Sequence, residues 1–110
     1  MKIVFIAVLF FTVTVGSAQV NPGEQLSGRI AQRMKDSLLL TTPQQESIYT
    51  INMQLHSQKM ALRQQHLSAD TLRLQFQKIE NGRDSLYRQI LSPDQFLLYK
   101  QKKRNLVNGN

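Results

Sequence analysis

The chain has 110 residues, no cysteine, and 14 Lys/Arg against 7 Asp/Glu, a net charge of +7. The missing cysteine excludes a disulfide scaffold and a thiol nucleophile, so stability has to come from helix packing or association. The positive excess points toward membrane surface, acidic polymers or unfolded anionic chains as partners.

The N-terminus reads as a secretory signal peptide. Met1-Lys2 gives a short basic start, Ile3 to Val15 is apolar apart from Thr12 and Thr14, and Gly16-Ser17-Ala18 supplies small residues for cleavage after Ala18. The apolar run is shorter than the ~20 residues of a membrane-spanning helix. Residues 1–18 are therefore assigned to the signal peptide and residues 19–110 to one small helical domain, with an ordered core from about residue 24 to 104. Without Lys2 the exported chain keeps thirteen basic against seven acidic residues, a net of +6. Export makes the compartment periplasmic and nucleic acid a poor candidate partner.

Gln19 to Gly23 is rich in turn residues. From Glu24 the apolar period becomes helical: Leu26, Ile30, Met34 and Leu38 recur every four residues, which predicts a first helix to Leu38. Thr42, Pro43 and Gln45 predict an N-cap, first helical residue and box partner for a second helix running to about Gln65. Ile48, Ile51, Leu55 and Leu62 form its main stripe, flanked by Tyr49, Met53, Met60 and Leu67. Ser68 caps a third helix reaching about Ile90, whose seam of Leu72, Phe76, Ile79, Leu86 and Ile90 has Arg83 in its one polar slot. Asp70–Arg73, Glu80–Arg83 and Asp84–Arg88 have the spacing of helical ion pairs. Asn81-Gly82 would turn a hairpin between strands, but the seam keeps its register across it, so the helix continues. Ser92, Pro93 and Gln95 start a fourth helix to about Arg104, apolar nearly all round at Phe96 to Tyr99. Residues Asn105 to Asn110 are expected to fray. The fold class is all-α, four helices in a hairpin-built, elongated arrangement.

Two of these helix starts share a five-residue pattern. Leu40-Thr41-Thr42-Pro43-Gln44 and Leu91-Ser92-Pro93-Asp94-Gln95 each read leucine, hydroxyl residue, two variable positions, glutamine. Leu40 and Leu91 are expected to bury against neighbouring turns, and Gln44 and Gln95 to bond backbone near the loops. The doubled motif resembles the LTxxQ family of periplasmic proteins, the Spy/CpxP group. Ser92 in place of threonine is a departure that leaves capping intact. The resemblance spans Glu24 to Arg104. It implies protomers built from helical hairpins that pair into a thin, curved dimer with a basic, partly apolar concave face. It further implies an ATP-independent chaperone for unfolded or partly folded envelope proteins. The alternatives it offers are a regulator of a membrane-bound envelope-stress sensor kinase, or a metal-responsive sensor or buffer.

Side-chain chemistry narrows this further. The two histidines lack an acid partner in sequence and the seven carboxylates are scattered singly, so no catalytic constellation is expected and no cofactor is implied. Met53, His56 and Met60 lie on one helical face, a weak candidate set for a soft ion set against a plain packing role. His56 and His66 are too far apart along one helix to share a metal. Met60, Leu67 and Leu74, with Arg63, Arg73, Arg83 and Arg88, form the candidate client surface. Flexible methionines and long arginines can re-pack around different partners.

Overall fold

The computed structural model describes residues 21–108, so the signal peptide assigned to residues 1–18 lies outside the described residues. Within them the chain forms four helices, α1 Pro22–Leu38, α2 Thr42–Arg63, α3 Ala69–Ile90 and α4 Pro93–Lys103, followed by a π-helical turn at Arg104–Asn108. No strand occurs among the described residues.

Local chemistry accounts for the helix starts. The Asn21 side chain accepts from the Glu24 N–H at 2.8 Å, with Pro22 just inside the helix. Helix α1 therefore begins two residues before Glu24. Ser68 caps α3 through the Thr71 N–H at 3.2 Å. At α2 the cap is Thr41, not Thr42, and the box partner is Gln44, not Gln45. Both threonines have the same hydroxyl, and proline is tolerated at either of the first two positions. At α4 the expected Ser92 and Gln95 form the box.

Helix α1 packs along α2, α2 along α3, and α4 with the π-turn folds back onto α1. Their meeting point is the core. Met34, Ile48, Tyr87 and Tyr99 are each 0% exposed, one from each helix. The Tyr87 and Tyr99 rings meet edge to face at 5.1 Å and 71°, an arrangement worth about 0.5–1.5 kcal/mol beyond area burial. Arg83, in the polar slot of the α3 seam, faces Asn52 in the α2 stripe, and both are buried.

Residues 105–108 do not fray as expected, and 109–110 lie outside the described residues. Leu106 and Val107 are buried, and the Arg33 guanidinium donates to the Leu106 carbonyl at 3.3 Å. Burying two aliphatic side chains offsets the cost of ordering one more turn, at about 1.5–3 kcal/mol for each.

Coverage along α2 and α3 is uneven. Every buried residue of α2 lies between Ile48 and Leu55, and every buried residue of α3 between Arg83 and Tyr87. Helix α1 stops covering α2 near His56, whose ring sits against Gly23 so closely that a Cβ there would collide with it. Beyond that point α2 and α3 continue as a two-helix tip joined by a turn at residues 64–68. His66 makes this turn with a φ of 56°.

Candidate functional site: a braced corner and an open tip

The two motif copies sit at the α1–α2 and α3–α4 turns and lock to each other. Gln44 Nε2 donates to Gln95 Oε1 at 2.7 Å, and Gln95 Nε2 donates to Gln44 Oε1 at 3.3 Å. Each glutamine oxygen also accepts from its own N-cap backbone, Thr41 N–H at 2.9 Å and Ser92 N–H at 3.0 Å. Each amide nitrogen then reaches the end of the helix preceding the other copy. Gln44 donates to Ile90 O at 3.1 Å, and Gln95 donates to Leu38 O at 3.3 Å. These are helix-terminal carbonyls that would otherwise lack a partner. The leucines complete the unit, since Leu40 and Leu91 are both buried in the core. Leu40 also closes α1 by donating its N–H to Lys35 O at 3.3 Å, while Leu39 turns the chain with a φ of 58°. That is a Schellman-type ending with leucine where glycine is usual.

A buried polar cluster ties α1, α2 and α3 together. Arg83 Nη1 donates to Asn52 Oδ1 at 3.0 Å and to Tyr87 OH at 2.8 Å, while Nε donates to Glu80 Oε1 at 2.8 Å. Tyr87 OH donates to Asn52 Oδ1, and Asn52 Nδ2 donates to Ser27 O at 3.1 Å. Lys59 pairs with Glu80 from the α2 side. Burial alone would raise the Glu80 carboxyl, but hydrogen bonds from Arg83 and Lys59 and their charges outweigh it and hold the group at about 2. Burial would lower the Arg83 guanidinium, but the Glu80 carboxylate drives it up instead.

A second cluster fastens α4 to α3. Asp84 accepts from Tyr99 OH at 2.8 Å and pairs with Lys100 and Lys103, each at 2.9 Å. The expected Asp84–Arg88 pair does not form, because these two lysines and the tyrosine claim the carboxylate. Burial pushes the Asp84 carboxyl up, and the three donors bring it down to about 2. Burial, then the bond to Asp84, raises the Tyr99 hydroxyl well above its ordinary range, so it stays a donor.

The candidate client residues divide into three groups. Met60, Arg63, Leu67, Arg73 and Leu74 gather at the α2–α3 tip. Arg63 stacks over Phe76 at 4.9 Å from the ring centroid, with Lys59 at 5.6 Å. Leu74 is 63% exposed, and Arg73 pairs with Asp70 at 3.0 Å on the surface. Arg88 is separate, 14 residues beyond Leu74 and so about 21 Å further along the helix, where it covers Phe96 at 4.5 Å. Arg83 is the correction: at 5% exposure its guanidinium is spent inside the protein and cannot meet a client.

Met53, His56 and Met60 lie along α2, all half-buried. The Cδ2–Nε2 edge of His56 lies close against α1 at Gly23. Among the described residues no group of three or more His, Cys, Asp or Glu side chains comes together.

Sequence reasoning missed Asn52, Tyr87 and the Tyr99–Asp84 contact. A signal was present for Asn52. It interrupts an apolar stripe between Ile48 and Leu55, as Arg83 interrupts the facing seam, and two such interruptions on packed helices invite a shared bond.

Compared with known proteins, the chain matches no family model, no curated protein and no solved structure.

Proposed function

We propose that this protein is a periplasmic, ATP-independent chaperone-like binder of unfolded or stressed envelope proteins, and that the α2–α3 tip is its client surface. The observation that carries the reading is the composition and exposure of the tip. Between Leu55 and Arg83 no residue is fully buried: Leu74 is exposed and Met60, Leu62, Leu67, Leu72 and Phe76 are half-buried, while Ile79 leans on the core. Arg63 stands exposed beside them with no carboxylate partner among the described residues. Apolar surface interleaved with cations suits unfolded chains, which present apolar segments and acidic residues without fixed geometry. The doubled motif, which resembles that of the Spy/CpxP group, supports the same reading. A two-helix layer has two faces, so pairing of two copies through one of them leaves the other for clients.

The test is suppression of aggregation. Stoichiometric protein without ATP should slow the aggregation of several unrelated unfolding proteins, and Leu74→Ser with Arg63→Gln should weaken the effect. No suppression with any client overturns the reading. Recovery of one dominant membrane sensor from envelope extract, in place of a mixture, would move the function to regulation. Light scattering that returns a monomer at high concentration overturns the pairing.

A further inference from the structure

One exposed feature is not absorbed by the tip or by the core. Helix α4 is apolar on nearly every side at Phe96 to Tyr99, yet it packs on the protein through one side only. Tyr99 points inward and is fully buried, whereas Leu97 is 61% exposed. A short helix that is apolar all round has either a fully buried position or a partner. Leu97 opens into a groove of about 720 Å³ between the end of α3 and the outer side of α4. Leu91, Pro93, Phe96 and Leu97 make its apolar floor, and Arg88 and Lys100 stand beside it.

Two cations, Arg88 and Lys100, line the groove with one carboxylate, Asp94. Lys100 is shared with Asp84 at 2.9 Å. Arg88 pairs with no carboxylate among the described residues and instead stands over the Phe96 ring, 4.5 Å from its centroid. Asp94 is the one carboxylate lining the groove, and it pairs with neither cation. A guanidinium held against an aromatic ring keeps its outer N–H groups available for a planar carboxylate.

We infer that this corner groove binds an extended polypeptide segment in which an aliphatic or aromatic side chain is followed closely by a carboxylate. The apolar side chain covers Leu97 and Phe96, and the carboxylate meets Arg88, with Lys100 adding attraction at longer range. The groove is a second contact site, about 21 Å along α3 from Leu74 at the tip. It stands on its own residues and does not require the tip to bind clients.

The test uses the purified full chain and short fluorescent peptides with a Leu-Leu-Asp core, read by anisotropy. A matched peptide has lysine in place of the aspartate. The aspartate peptide should bind at least about tenfold tighter, with affinity falling as salt rises. Leu97→Ser should weaken it about tenfold, the scale of losing one aliphatic contact. Arg88→Gln should weaken it about two- to fivefold, as for an exposed charge pair. Arg29→Gln, which removes an exposed cation of α1 outside both the groove and the tip, should leave peptide binding unchanged. Both groove substitutions are on the surface, and unchanged thermal melts will show that the fold persists. Equal binding of the two peptides, no binding of either, or binding that survives both groove substitutions overturns the inference. So does an Arg88-dependent attachment to phosphatidylglycerol vesicles in the absence of peptide binding. Aggregation suppression that persists in Leu97→Ser and Arg88→Gln while peptide binding is lost reads the tip without the groove, so the two readings fail separately.

Discussion

The motif end and the α2–α3 tip are built from the same two long helices, yet they differ in what holds them. At the motif end all four helices meet, and two glutamines join two turns that lie about 50 residues apart in sequence. At the tip, beyond the C-terminal turn that stands beside Phe76 and Gln77, two helices face each other with no third helix of the described residues packed on them. The boundary between these regimes is the Arg83–Asn52–Tyr87 cluster, near the place where α1 ends its cover of α2. A small helical protein can thus keep one end rigid by local caps and cross-links and leave the other end's apolar side chains half-exposed. The rigid end supplies the folding free energy that lets the tip stay unpartnered.

The largest effect should come from breaking the boundary. Arg83→Ala removes a buried cation and its stem, leaving Asn52 with one donor fewer and Glu80 with Lys59 alone. A loss of about 3 kcal/mol is expected in urea unfolding. Arg83→Lys keeps the charge but cannot reach Glu80 and Asn52 at once, and should lose less. If Arg83→Ala unfolds no more easily than the wild type, the cluster is not the seal between the two regions.

Next in size is the glutamine clamp. Gln44→Ala and Gln95→Ala should each cost about 1–2 kcal/mol, since each removes a capping bond and leaves a helix-terminal carbonyl without its donor. The two substitutions act on one network, so the double variant should cost clearly less than the sum of the singles. Strict additivity in a double-mutant cycle would mean that the two turns are braced independently.

Acid should loosen the two clusters before it affects the tip. Glu80 and Asp84 are both held down to about 2 in the folded protein, against 4.5 and 3.8 for the free groups. A depressed carboxyl stabilises the fold fully above its unfolded value, and this contribution is lost as pH falls through the folded value. Stability should therefore decline between pH 4.5 and about 2. Glu80→Gln and Asp84→Asn should each flatten that decline while lowering stability at neutral pH. An unchanged slope in both variants would place the acid sensitivity elsewhere.

Much of the braced end was legible because its signals are short-range. A cap and its box partner lie within three residues, so Ser92 with Gln95 could be read directly, and the four helix spans follow from apolar spacing. The errors arose where two equivalent local choices were decided by a distant residue. Thr41 wins over Thr42 because Gln44, as its box partner, also reaches Gln95 and Ile90. Asp84 ignores Arg88 because Lys100 and Lys103 arrive from another helix. Arg83 looked like surface because arginine usually is, and its partner Asn52 is 31 residues away. The tip was legible in composition, but its openness was not. No pattern within α2 or α3 tells how far α1 will extend over them.

The smallest expected effect has the opposite sign. Leu39 holds a left-handed turn at a φ of 58°, and its side chain is 83% exposed, so it contributes little packing. A non-glycine residue in this conformation costs about 1–2 kcal/mol locally. Glycine would relieve that strain but would also gain freedom in the unfolded chain, which offsets part of the benefit. Leu39→Gly should therefore stabilise the protein by about 0.5 kcal/mol, visible as a small rise in thermal midpoint. The same substitution leaves intact the Leu40 N–H bond to Lys35 O and the Gln95 bond to Leu38 O, because both use backbone atoms that glycine retains. Destabilisation instead would show that the exposed leucine side chain has a covering partner at the braced end, and the contrast between a closed corner and an open tip would weaken. A gain in stability with unchanged aggregation suppression would place Leu39 among the residues that set the turn alone, and would keep client contact away from the clamp.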